Sequence, residues 1–272
     1  MARPDIYART TGLPVTRPGL AGDLAELGLR PGMNVLVHTA MGQLGWVVGG
    51  AITVIRALED VLGNSGTLIM PAHTADLSDP EFWQNPAVPP DWWALIRAQM
   101  PAFDPDLTPT NYVGVVPETF RHLSGVTRSN HPQVSFCARG PRAEFITANH
   151  SLEFGLGEGS PLARLYDLGG HVLLLGATHY SNTILHLAEY RAIFSSKVTV
   201  MNGAPVMRGG GRRWVTFMDL DLNTEDFPEL GLAFEATCPT ARIGPAGYGT
   251  ARLLPVREMV DFAVQWMTRN RL

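Results

Sequence analysis

Leu173-Leu-Leu-Gly-Ala-Thr-His-Tyr-Ser-Asn-Thr-Ile-Leu-His-Leu-Ala-Glu-Tyr-Arg191 reads as a strand running into a helix, and that reading decides the fold class. The apolar run His171 to Leu175 has the pattern of a buried strand, Gly176 and Ala177 leave it, and Ser181 or Asn182 caps the helix that follows. His186 and Glu189, three residues apart, then share one helical face. On spacing alone such a pair is more often a solvated or satisfied ion pair. The company of His179, Tyr180, Ser181, Asn182 and Thr183 favours a functional site, because polar residues gathered at a strand end fit a core poorly and fit an α/β active site well.

Working outward, strand-like and helix-like segments alternate along all 272 residues, with no linker, charge run or repeat dividing them. The expected fold is α/β: a single domain over residues 1–272 with a central mixed sheet flanked by helices. Ala21 to Leu29 reads as a helix, Asn34 to His38 as a buried strand, and Ala51 to Leu62 as a helix. Between them Thr39 to Gly50 is rich in small residues. The Gly49-Gly50 pair before a helix reads either as a diphosphate cradle or as a loop whose glycines need positive φ, since it matches neither common phosphate motif. Gly66 to Met70 is the next strand, and Ala72 to Asn111 is a long Trp/Pro-rich loop, of the kind that forms lids or binding walls. Gly114 to Leu123 reads as a helix, Val134 to Ala138 as a strand and Arg142 to Ala148 as a helix. Ser160 and Pro161 open another helix. Val198 to Val206 and Arg212 to Asp219 form a hairpin. Strand-like Ala236 to Ile243 and Ala251 to Leu254 follow, before a closing amphipathic helix from Val256 to Thr268.

A net charge of −4 and a pI near 6.1 argue against nucleic acid as a partner. The N-terminal stretch lacks a secretory pattern, and no apolar run approaches the roughly 18 to 20 residues of a membrane span. A soluble, cytoplasmic protein is expected, with no membrane partner. Cys137 and Cys238 lie far apart in strand-like stretches and read as free thiols.

Seven pieces, in order, carry a resemblance: Val35-Leu-Val-His-Thr39, Gly49-Gly50, Gly66-Thr-Leu-Ile-Met-Pro71, Phe103-Asp-Pro105 with Thr108-Pro109, Arg128-Ser-Asn-His-Pro132, Gly157-Glu-Gly-Ser-Pro-Leu162 and His186-Leu-Ala-Glu-Tyr190. Together they span nearly the whole chain, which resembles the aminoglycoside 3-N-acetyltransferase family, a fold unrelated to the GCN5-type acetyltransferases. The resemblance implies transfer of an acetyl group from acetyl coenzyme A to the 3-amine of an aminoglycoside antibiotic, in a ternary complex and as a means of resistance. It makes both molecules the expected partners and calls for no metal.

On that footing His186 is the expected general base, Glu189 its orienting acid and Asp221 a second acid for which Asp219 competes. The resemblance points to Thr39, Gly49, Gly50, Met70, Thr108 and Arg128 for the acetyl coenzyme A. A polycationic acceptor calls for carboxylates, with Asp76, Asp104 and Glu158 as candidates; Glu158 reads equally as an ordinary turn acid. Many relatives resemble Gly-x-x-Asp-Ser-x-Thr ahead of the histidine, and here Tyr180 stands at the Asp position. That departure keeps two alternatives in view: another amine as acceptor, or a non-catalytic binder of aminoglycoside or coenzyme A. Oligomeric state stays open, a homodimer included, because the apolar face of the C-terminal helix suits a core or a partner.

Overall fold

A computed structural model describes residues 6–271. Its strands are β1 (Asn34–Thr39), β2 (Thr67–Pro71), β3 (Thr127–Arg128), β4 (Phe136–Arg139), β5 (His171–Leu175), β6 (Thr199–Arg208), β7 (Gly211–Leu220), β8 (Arg242–Ala246) and β9 (Gly249–Pro255). Its helices are α1 (Ile6–Arg9), α2 (Arg17–Leu27), α3 (Gly50–Leu62), α4 (Trp93–Gln99), α5 (Val115–Arg121), α6 (Ala143–Thr147), α7 (Pro161–Asp167), α8 (Ile184–Arg191), α9 (Phe227–Thr237) and α10 (Val256–Asn270). Seven strands form one mixed sheet in the order β3-β4-β2-β1-β5-β9-β8. The central β2, β1 and β5 are parallel, and antiparallel strands extend the sheet on both sides.

The three central strands are apolar runs because helices cover both faces of a parallel sheet. Alternate residues go to opposite sides. Val35, Val37, Leu68, Met70, Leu173 and Leu175 pack with α2, α3 and α5, whereas Leu36, Ile69, Val172 and Leu174 pack with α6 to α10. The apolar face of α10, Val256, Met259, Val260, Ala263 and Met267, is buried in this second core, so it serves the fold itself. No helix among the described residues is long and apolar enough to cross a membrane.

Several boundaries move for local reasons. Helix α2 starts before Ala21, because Thr16 Oγ1 accepts from Gly19 N and Pro18 occupies the first turn. Cys238 caps α9 rather than lying in a strand, and its strand begins only at Arg242. Both cysteines are free. The long segment from Ala72 to Asn111 is not wholly irregular, since it contains α4. Its anchors are polar. Arg97 Nη2 reaches Asp79 Oδ1 at 2.6 Å, Arg212 Nε of β7 donates to Met100 O at the end of α4, and Phe103 N donates to Pro205 O of β6. Trp92, which a tryptophan-pinned loop would bury, is 57% exposed.

Candidate active site

Strands β1, β2 and β5 end side by side, and β1 passes to β2 on one side and pairs with β5 on the other. Such a switch point opens a crevice at the carboxyl ends of the strands. A cleft of about 400 Å³ lies there, walled by His38 and Thr39 of β1, Pro71 of β2, His73 and Tyr112 of the long segment, and Tyr180, Thr183 and His186 beyond β5.

His186 and Glu189 meet within this cleft wall as their spacing on α8 requires. His186 Nδ1 donates to Glu189 Oε2 at 2.8 Å. The other oxygen, Oε1, accepts from Asn223 N at 2.9 Å and from Arg271 Nη1 at 2.6 Å. Burial alone would push the Glu189 carboxyl up, but the bonds from His186, Asn223 and Arg271 outweigh it and hold the group below the ordinary carboxylate range. An ionised carboxylate can only accept, so Nδ1 carries a proton, and in the neutral ring Nε2 is then the acceptor nitrogen. The Phe227 ring, 4.9 Å from the imidazole centroid, limits its rotation.

Two further histidines face the same cleft and were not singled out by sequence. His38 and His73 each carry a buried Nε2 with no hydrogen-bond partner. Burial, together with the neighbouring imidazoles, pushes both rings down to about 3, so both are neutral. His38 had one signal, its place at the end of an apolar strand; His73 had none. Their cost appears in acid. An unfolded chain protonates these rings near 6.5 and the folded chain does not, so their stabilisation is complete above that pH and is lost as pH falls from 6.5 towards 3. At pH 5 His38 alone removes roughly 2 kcal/mol. Calorimetry should show Tm dropping by about 5 °C between pH 7.5 and pH 5; an unchanged Tm would contradict neutral burial.

His179 and Tyr180 part company. Tyr180 is 61% exposed on the cleft wall, whereas His179 is 3% exposed behind it. His179 Nε2 donates to Glu235 Oε1 at 2.7 Å, and Arg252 Nε of β9 donates to the same oxygen at 2.8 Å. Asn182 Nδ2 lies 3.3 Å from His179 Nδ1. This network ties the turn bearing Tyr180 to α9 and the sheet.

The remaining candidates fall in different places. Thr39 lines the cleft. Asp221 is exposed at the hairpin end, where its N donates to Val198 O; Asp219 is the buried acid, bonded by the Tyr190 hydroxyl and held above the ordinary carboxylate range by burial. Gly49 and Gly50 lie outside the cleft wall at φ +77° and +62°, so their backbone conformation accounts for the pair. Met70 is fully buried in the core between the sheet and α3, with no face for a ligand.

Arg128 is spent on the protein. Its guanidinium donates to Ser135 Oγ at 3.0 Å, to Ala72 O at 2.7 Å and to the carbonyls of Pro105 and Thr108, and burial pushes it down to about 10. Thr108 Oγ1 accepts from Asp104 N, and Asp104 Oδ1 accepts from the N–H groups of Asp106 and Leu107. Arg128, Thr108 and Asp104 thus staple the long segment to the sheet edge. Glu158 forms a two-pronged pair with Arg191 at 2.7 and 2.9 Å, away from the cleft. Asp76 accepts from Asn111 Nδ2 and lines an outer cavity of about 450 Å³ with Trp83 and Tyr112. Tyr112 lines both cavities. Among the described residues no three His, Cys, Asp or Glu side chains converge to hold a metal ion.

The chain is thus an α/β protein with a histidine–carboxylate pair in the wall of a cleft at the carboxyl ends of its parallel strands, a pairing chemically able to move a proton. The aminoglycoside 3-N-acetyltransferase family profile matches residues 36–268, and the chain belongs to that family of acyltransferases. It is 45% identical over 262 residues, 96% of this chain and 95% of the other, to the SPbeta prophage-derived aminoglycoside N(3')-acetyltransferase-like protein YokD of Bacillus subtilis (strain 168). It is 40% identical to aminoglycoside N(3)-acetyltransferase VII of Streptomyces paromomycinus over 93% of this chain and 92% of that one. The structure of AAC-IIIb in its binary complex with CoASH superposes with a TM-score of 0.85 at 34% identity, covering 94% of this chain and 97% of the other.

Proposed function

We propose that the protein transfers the acetyl group of acetyl coenzyme A to the 3-amino group of an aminoglycoside, with His186 as general base and both substrates bound at once. The observation that carries this reading is the Glu189-bonded imidazole in the cleft wall, with its Nε2 free to take a proton. Family membership adds the substrates: relatives bear the name of the aminoglycoside reaction, and one is bound to CoASH.

An ammonium group is no nucleophile, so the acceptor amine must shed a proton before and during attack. His186 Nε2 takes the proton as the amine nitrogen bonds to the thioester carbonyl carbon. The C–S bond then breaks, and the proton returns to the departing sulfur, giving an amide and free coenzyme A. Glu189 stays ionised and balances the imidazolium, as a buried carboxylate does for other catalytic histidines. No covalent acyl-enzyme is required. Thr39 and Tyr180 are contacts that the cleft itself offers to substrate, and Asp76 offers a carboxylate to an ammonium group in the adjoining cavity.

Free-thiol release from acetyl coenzyme A, scored against aminoglycosides with and without a free 3-amine, tests the reading. Release confined to acceptors with that amine is expected. Release independent of the 3-amine would overturn the regiochemistry, and silence across the panel with coenzyme A still bound would overturn the reaction.

A further inference from the structure

Arg271 follows α10 and lies beyond the family match at residues 36–268. Yet it supplies the cation on Glu189. Its Nη1 donates to Glu189 Oε1 at 2.6 Å, while Nε and Nη2 grip Asp226 Oδ2 and Oδ1 at 2.7 and 2.6 Å and Nη2 also reaches Asn223 O at 2.9 Å. The guanidinium packs 5.3 Å from the Phe194 centroid and 5.9 Å from that of Phe227, the ring that also faces His186. A planar fork held on one carboxylate aims its remaining N–H group in a fixed direction. The Glu189 side chain is 2% exposed and that of Arg271 10%, so water cannot substitute for either partner.

We propose that Arg271 is a positioning residue for the acid–base pair: it fixes the Glu189 carboxylate so that Oε2 faces His186 Nδ1 and the imidazole keeps its proton there. The inference rests on His186 being the base. Other groups face the ring: Glu189 on its own helix, His38 from β1, His73 from the segment after β2, Asp219 from β7 and Phe227 from α9. None of them donates to Glu189 Oε1. Without the arginine, that oxygen keeps only the Asn223 N–H, and a buried carboxylate so left takes a proton or draws the ring into its imidazolium form. Either outcome removes the neutral ring with a free Nε2.

The test is nitrogen-15 NMR of the His186 ring in substrate-free protein near pH 7, with steady-state kinetics alongside, for Arg271→Met and Arg271→Lys. Arg271→Met is expected to lose the neutral Nδ1–H signature and to lower kcat roughly ten- to hundredfold, with both KM values within about threefold. Arg271→Lys should recover the signature and most of the rate. A purely structural role would lower thermal stability but leave the folded protein's ring spectrum unchanged. Should Arg271→Met not fold, Asp226→Asn loosens the same fork and is read in the same way. A wild-type ring spectrum with kcat within threefold in the folded variant overturns the proposal. If the wild-type protein transfers no acetyl group, the spectrum still decides the positioning, and the failure belongs to the proposed reaction.

Discussion

His186→Ala is expected to lower kcat by about 10² to 10⁴-fold while the KM for acetyl coenzyme A stays within about threefold of wild type. The separation follows from where the ring acts. In the proposed mechanism its Nε2 is needed when the amine loses its proton, whereas the cleft wall from Thr39 to Tyr180 is left in place. The fold should tolerate the change, because Glu189 keeps its bonds from Arg271 and Asn223. Steady-state kinetics from pH 6 to 9 are the measurement. In the variant the surviving rate should rise with pH as free amine replaces ammonium, since no protein base remains to help. A rate within threefold of wild type at pH 7 would assign the proton to another group.

The His186–Glu189 pair was legible because everything that makes it is local: a helix places residues three apart on one face whatever surrounds them. The same holds for β1, β2 and β5, whose short apolar runs bounded by Gly and Pro read as strands covered on both faces. What supports the pair was illegible for the opposite reason. Arg271 stands 82 residues from Glu189 along the chain, and no spacing rule links an arginine after one helix to a glutamate inside another. Arg128 shows a second limit. The family resemblance points to this arginine for acetyl coenzyme A, and only the three-dimensional structure shows its donors occupied by Ser135 and by carbonyls of the long segment. Asp104 and Glu158 have partners that are equally invisible in sequence. An acid in a polar loop looks free until its turn or its arginine partner is seen.

Gly231→Ala should destabilise the protein by about 3 kcal/mol, at the upper end of overpacking costs. In an exposed helix the same change stabilises by roughly 1 kcal/mol, because glycine is the poorer helix former, so the sign itself is diagnostic. Gly231 sits in α9 beneath the His179 ring, where a Cβ would lie 2.0 Å from Cγ and 2.3 Å from Cδ2 and Nδ1. The ring has nowhere to go. It is 3% exposed, and its Nε2 is bonded to Glu235, one turn further along the same helix, which Arg252 holds in turn. The helix thus presents a bare patch for the ring and the acceptor for its N–H together. Denaturant midpoints for Gly231→Ala, His179→Ala and the double variant would measure this coupling. If the collision with the imidazole is the cause, Gly231→Ala should cost about 1–3 kcal/mol less once His179 is already alanine. Simple additivity, or a single Gly231→Ala variant as stable as wild type, would show that the ring yields. The turn bearing Tyr180 would then be less firmly tied to the sheet than the His179 bonds imply.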